Sequence, residues 1–319
     1  MKILVINDIH AAATPPRGCR SVYSTDIFNM LEEIRNICVD NQVYLTILTG
    51  DLFHHKQNVA DWLKEKLIQT FKYWPTEVIS IVGNHDLGAA GINSIVSQPI
   101  GILFAADVIH WLQADEIRKY GEIILQLSPA NWFDGIDDDP ANFGLKRMEG
   151  VDWALKISHG SLVVSDKDYP KEFKVVSMQN IPTAGMDFCL NGHIHNDQGI
   201  KKINDCIFVS TGSLGRVART DYNYTKKMRL ALLTLEKEEA STEFVYLESA
   251  MPVEELFYDK ITNVTSQLDV ALTRFTQNIE RNLRVKELSI EEALTSLGKF
   301  EPQVVTVVKK HLLAGGWEE

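Results

Sequence analysis

Residues 43–54 read Val-Tyr-Leu-Thr-Ile-Leu-Thr-Gly-Asp-Leu-Phe-His, and the change of residue type halfway along decides the fold. The first half, 43–48, is a short apolar run carrying β-branched residues, as a buried strand reads, and it ends in Gly50, Asp51 and His54. Upstream, Ile3 to Ile6 runs into Asn7-Asp8-Ile9-His10 in the same way, and downstream 78–82 runs into Gly83-Asn84-His85-Asp86. Between these runs, Ile27, Met30, Leu31 and Ile34 recur at helical spacing behind the cap candidates Ser24 and Thr25. Trp62, Leu63, Leu67 and Phe71 do the same before Pro75. Strand, helix, strand, helix, strand implies a parallel sheet with helical crossovers.

Further strands are expected at 122–127, 154–157, 186–190, 207–210, 229–234 and 243–247, and two more polar blocks follow such runs, Ser158-His159-Gly160 and Gly192-His193-Ile194-His195. The stretch 134–140 (DGIDDDP) reads as an exposed loop, with a cation site as the minor alternative. Beyond Pro252, Ile261, Val264, Leu268, Leu272, Phe275, Ile279 and Leu283 fall on one helix face, Ser289 and Glu292 form a capping box, and 303–313 suits a last helix. A boundary near Met251 divides the chain into domains 1–250 and 251–319.

A chain of 319 residues that is 45% hydrophobic and 24% charged has the composition of a globular protein and not of a disordered one. The start has neither the apolar run of a signal peptide nor a membrane span, so a cytoplasmic protein with no membrane partner is expected. Cys19, Cys38, Cys189 and Cys206 show no CxxC pairing and read as reduced, structural thiols. A net charge of −11 argues against a broadly basic nucleic-acid surface, although Arg17 and Arg20, Lys201 and Lys202, and Arg216, Arg219, Lys226 and Lys227 form local clusters that solvated surface charge would also explain.

In a parallel sheet, side chains at the carboxyl ends of different strands converge on one edge, so the polar blocks predict a shared site. Carboxylates, an amide oxygen and imidazoles without a thiolate suit manganese, iron or zinc. In Asp8-x-His10 and His193-x-His195, alternation along an extended strand end would put both ligands of each pair on one side. A lone histidine is more often structural, and His55, His110 and His311 are read so.

The ordered set D-x-H, G-D, G-N-H-D, H and G-H-x-H resembles the calcineurin-like metallophosphoesterases over roughly 1–247. Within that superfamily, GDLFHH and the segment 210–216 (STGSLGR) look most like the SbcD-type DNA-repair nucleases, cellular or phage-borne. The resemblance implies an α/β fold, a two-layer β-sandwich flanked by helices, with a small helical C-terminal module. It implies two divalent ions, manganese first, with iron, zinc or magnesium as alternatives. Asp8, His10, Asp51 and His195 would hold one, and Asp51, Asn84, His159 and His193 the other. A metal-bridging hydroxide would attack phosphorus, with His85 contacting phosphate or protonating the leaving oxygen and Asp86 orienting its ring. Two ions bring four positive charges and Asp8 and Asp51 remove two, a balance that accepts one hydroxide and one diester anion.

The expected activity is DNA exo- or endonuclease cleavage in repair or recombination. The alternatives are hydrolysis of cyclic nucleotides or other small phosphoesters and, from a different class, a scaffold that has lost catalysis. His54 and Arg216 are the candidate substrate contacts, Arg216 and the backbone of 211–216 forming either a phosphate loop or an ordinary turn. The family's Leu-Gly after D-x-H is replaced here by Ala11-Ala12-Ala13, which puts DNA access at that edge in doubt. The implied partners are DNA and an SMC-like coiled-coil ATPase of the SbcC type docking on 251–319, with a homodimer as an open question.

Overall fold

The computed structural model describes residues 1–169 and 173–258, which lie in one compact unit, Met1–Tyr258. One six-stranded sheet is built from β1 (Lys2–Ile6), β2 (Leu45–Leu48), β3 (Glu77–Ser80) and β4 (His110–Trp111), joined by β13 (Arg229–Leu235) and β14 (Ala240–Tyr246) in the order β14-β13-β1-β2-β3-β4. β1 to β4 are mutually parallel, as the alternation of runs predicts, while β13 adds antiparallel to β1. The second six-stranded sheet holds β5 (Glu116–Tyr120), β6 (Ile123–Ala130), β7 (Trp153–Gly160), β10 (Phe188–His193), β11 (Gly199–Ile203) and β12 (Cys206–Ser210), in the order β11-β12-β10-β7-β6-β5. A small parallel pair, β8 (Leu162–Val163) and β9 (Val176–Ser177), stands apart.

The two sheets face each other across an apolar layer in which Ile3, Val5, Ile47 and Ile79 meet Leu155, Ile157, Phe188 and Leu190. The residues between them point the other way: Leu4, Ile6 and Leu48 pack on α1 (Tyr23–Asp40) and α2 (Asp61–Lys72). Burial on both faces is why these strands read as continuous apolar runs and not as alternating ones. The outer face of the second sheet, with Cys189 and Phe208, is covered by the short turns carrying Ile136, Phe143 and Met178. All four cysteines are buried free thiols. Among the described residues no helix is long and apolar enough to cross a membrane.

Several local expectations change. α1 starts at Tyr23 after Val22, which makes no side-chain cap, so neither Ser24 nor Thr25 caps it. Tertiary packing sets this start, because Tyr23 is fully buried and its hydroxyl donates to the His10 carbonyl at 3.0 Å. In α2, Leu63, Leu67 and Phe71 are buried, but Trp62 lies one residue off that stripe and is 47% exposed. The 134–140 stretch is not wholly exposed: Ile136 is buried and Asp137 accepts from both the backbone and the hydroxyl of Ser161.

The unit also runs past Ala250. Beyond β14, a short helix α3 (Val253–Leu256) brings Leu256 and Phe257 into the core, and the Arg20 N–H donates to the Leu256 carbonyl. The helices expected over 261–283, 289–292 and 303–313 lie outside the described residues.

Candidate metal centre

The five polar blocks converge at the carboxyl ends of β1, β2 and β3 in one sheet and of β7 and β10 in the other, and every residue implied as a ligand is in that convergence. Three groups of side chains approach one another closely enough to share an ion: Asp8, His10 and His195; Asp51, His159 and His193; and His10, His54 and His85. Among the described residues no such group involves 134–140.

The backbone that presents them is not extended. Asp8 (φ 43°), His10 (φ 49°), Asp51 (φ 53°) and His193 (φ 83°) all lie in the left-handed region, a conformation that costs non-glycine residues about 1–3 kcal/mol and persists only where surroundings impose it. The expectation that Asp8 and His10 share one side of an extended strand end is therefore corrected: strand pairing stops at Ile6 and Leu48, and the chain turns. The turn is held by His10 N–H to the Asp51 carbonyl (2.9 Å), Leu214 N–H to the Asn7 carbonyl (2.9 Å) and Gly215 N–H to the Asp8 carbonyl (3.1 Å). The alanines after His10 contribute here. Ala11 pairs with Phe53 as an isolated parallel bridge, and small side chains let the 8–12 and 51–54 loops lie together. Gly83 is required by proximity, since a Cβ there would stand 2.6 Å from the His159 ring and collide with the Asp51 carboxylate.

The geometry fits metal ions. His10 Nε2 and His195 Nε2 are 2.9 Å apart, and His159 Nε2 and His193 Nδ1 are 3.3 Å apart. Two nitrogens bound to one ion at about 2.1 Å, with angles of about 90–110°, stand about 3.0–3.4 Å apart. Asn84 Oδ1 lies 3.1 Å from His159 Nε2 and 2.9 Å from His193 Nδ1, completing the second set. Asp51 Oδ2 is 3.7 Å from His10 Nε2 and 3.5 Å from His159 Nε2, so one oxygen borders both sets, as a bridging ligand requires. His159 donates from Nδ1 to the Thr49 carbonyl (2.7 Å), which fixes the tautomer and leaves Nε2 as the ligand atom.

Protonation in the metal-free state follows from burial. Asp8 is pushed up to about 7 by burial, with Asp51 adding to the rise against the pull of His159. Asp51 stays well below the usual carboxylate range because His159, His85 and His10 outweigh its burial. Burial also pushes His10 well down, His193 to about 3 and His195 to about 4, so these imidazoles are neutral and ready to ligate. His159 is the exception: burial opposes its charge, yet Asp51 and Asp8 raise it to about 9.

His85 stands beside the ligands without joining either set. Its backbone N–H donates to Asp51 Oδ1 at 2.7 Å, and its ring meets His10 edge-on at 4.9 Å and stacks on His54 at 5.5 Å. Its ring is not oriented by Asp86. The Asp86 carboxylate turns away to accept from Asp51 N–H (2.8 Å) and Gly83 N–H (3.0 Å), tying the second and third loops together, while His85 Nδ1 donates to the His54 carbonyl at 2.6 Å. Asp86 thus positions Asp51, and His54 orients His85 through its backbone. His54 itself is half-buried, and burial holds its ring neutral by pushing it down to about 3. His55 lies on the surface near the Thr14 carbonyl, its ring edge-on to that of His54 at 4.6 Å, and His110 pairs with Glu116; neither belongs to any of the three groups.

Arg216 does not reach this edge. It is 2% exposed, and its guanidinium pairs at 2.8 Å with buried Asp26, so it has no surface to offer a DNA strand. The loop 211–216 serves as the backing of the first and last blocks, with Ser213 N–H donating to the His195 carbonyl.

Residues 1–197 match the calcineurin-like phosphoesterase family, and the chain belongs to it. That makes it a member of a hydrolase family that works on phosphoesters with divalent metals, and the two metal-fitting sets are where such ions would sit. Similar solved structures include an archaeal phosphodiesterase (12% identity, 77% of this chain and 100% of that one, TM-score 0.38). Another is a 5′-nucleotidase precursor from Thermus thermophilus (12% identity, 79% and 55%, TM-score 0.45). A third is the sulfate thiohydrolase SoxB of Thermus thermophilus, in complex with glycerol (13% identity, 87% and 61%, TM-score 0.48).

Proposed function

We propose that this protein is a metal-dependent phosphodiesterase that cleaves DNA, in the manner of the SbcD-type repair nucleases. The observation that carries the phosphodiester reading is the separation of roles: two complete ligand sets sharing Asp51, and beside them one histidine, His85, bonded to Asp51 but outside both sets. Two divalent ions, manganese before iron, zinc or magnesium, would supply Lewis acidity and lower the pKa of water. The chain's own residues do the rest. With Nδ1–H committed to the His54 carbonyl, His85 keeps Nε2 free to contact phosphate or pass a proton to the leaving oxygen. His54, stacked on that ring, borders the place where a phosphate would lie.

The choice of DNA rests on the resemblance of GDLFHH and of 210–216 to SbcD-type proteins. The charge of −11 fits a nuclease whose grip on DNA is supplied in part by a partner, and an SMC-like coiled-coil ATPase of the SbcC type docking on 251–319 is the partner we propose. The deciding experiment offers the manganese-loaded protein linear DNA labelled on one strand, a cyclic nucleotide and an aryl phosphodiester. Cleavage of DNA supports the reading. Intact DNA with rapid turnover of either small diester would replace it with a small-phosphoester hydrolase.

A further inference from the structure

Behind the first ligand set, residues 213–215 form a loop whose backbone bonds run to that set. Ser213 N–H donates to the His195 carbonyl (3.2 Å), Leu214 N–H to the Asn7 carbonyl (2.9 Å) and Gly215 N–H to the Asp8 carbonyl (3.1 Å). Gly215 also lies against His10, since a Cβ added there would stand 2.9 Å from the His10 Cβ and 2.7 Å from the Ile9 carbonyl oxygen. Asp8, His10 and His195 thus share one backing. Among the described residues, no hydrogen bond of this loop runs to Asn84, His159 or His193.

The loop is held in turn by a lysine. The Lys226 amine donates to the Ser213 carbonyl, and the Ser213 hydroxyl closes the turn on the Gly215 carbonyl at 2.8 Å. Lys226 is placed by its own backbone: it ends the helical turn Asp221–Thr225, with its N–H bonded to the Tyr222 carbonyl at 2.8 Å. The Tyr222 hydroxyl accepts from Asp197 N–H at 2.7 Å, so the same turn is fixed to the chain just beyond His195. Asp197, the acid that most favours a charge on the amine, is itself paired with Arg229 at 2.7 Å. The amine stands near enough to Asp8 and His195 to lower the pKa of each. Burial brings the amine itself down to about 7, and above that value it is a neutral donor that sets no positive charge beside an incoming ion.

We propose that Lys226 is a positioning residue for the first ion: through the Ser213 carbonyl it holds the loop against which Asp8, His10 and His195 are set, and the second ion does not depend on it. The inference rests on the two-ion reading above. Groups that hold metal ligands in place commonly govern affinity by about tenfold to a hundredfold.

The test is calorimetric titration of the full chain, stripped of metal by a chelator, with manganese near pH 8. There the amine carries little charge, and its removal takes away a hydrogen bond and not a repulsion. The parent takes up two equivalents. Lys226→Met, similar in length but without a donor, keeps one equivalent at the parent's affinity and weakens the other at least tenfold. Lys227→Met, at the exposed neighbouring position, changes neither. Gly215→Ala, which pushes the loop off His10, weakens the same equivalent as Lys226→Met. Added to His195→Ala, in which a first-set ligand is already gone, Lys226→Met leaves the remaining equivalent unchanged. Equal weakening of both equivalents, no weakening, or a further loss on top of His195→Ala would each overturn the assignment while the two-ion reading stands. Fewer than two equivalents in the parent would overturn that reading, and this assignment with it.

Discussion

Loading metal into this centre must expel protons, and the structure says from where. His10, His193 and His195 are neutral before any metal arrives, so they contribute none, while Asp8 and His159 hold theirs, with values of about 7 and about 9. Both groups must be deprotonated to ligate, so binding strengthens as pH rises through these values and weakens as it falls. Ligation should release about two protons near pH 6 and about one near pH 8. Four histidines at their ordinary value with an ordinary aspartate would instead release about three near pH 6 and almost none near pH 8. The assay is calorimetric titration of chelator-stripped protein with manganese in buffers of different ionisation enthalpy, which reads the protons directly. Release close to zero near pH 8 would refute the account of His159 as a buried imidazolium held by Asp51 and Asp8.

Other substitutions separate the roles assigned above. His85→Gln should keep the metal content of the parent and lose about a hundred- to ten-thousand-fold in turnover of an aryl diester, whereas Asp51→Asn should lose metal; equal metal loss in both would merge ligand and catalyst. Gly83→Ala places a methyl against His159 and Asp51 and should weaken metal binding about tenfold to a hundredfold, read by competition with a chelator. Asp26→Ala strands the Arg216 charge and the Met251 N–H in the interior and should cost about 3–5 kcal/mol in urea unfolding; a loss under about 1 kcal/mol would show that the pair is not truly buried.

The parallel strands of the first sheet and the meeting of the polar blocks at one edge were legible in the sequence because both depend on local pattern, whereas the second layer and the individual ligand roles were expected only from the family resemblance. Runs such as 3–6 and 43–48 declare a strand buried on both faces, and carboxylates and imidazoles directly after them declare an edge where they meet. What escaped depends on partners distant in the chain or invisible in side-chain types. β13 joins β1 across more than half the sequence, and nothing in residues 229–235 names that neighbour. The resemblance had Asp86 orienting His85, but the bonds run to backbone groups: Asp51 and Gly83 N–H for the carboxylate, the His54 carbonyl for the ring. A carbonyl is present at every residue, so no motif could reveal it. Arg216 looked like a surface cation until Asp26, 190 positions away, claimed it.

The ligands also come from two layers. Asp8, His10, Asp51 and Asn84 follow strands of one sheet, and His159, His193 and His195 belong to strands of the other or follow them. An ion held by both groups is then a rivet through the sandwich at the end where the apolar layer gives way to polar loops. Binding energy there becomes folding energy, about 4 kcal/mol when free metal exceeds its dissociation constant a thousandfold. Starved of metal, the protein would lose more than its chemistry. The two sheets would part most easily at the active edge, and the melting temperature would report on the metal supply before any substrate is added.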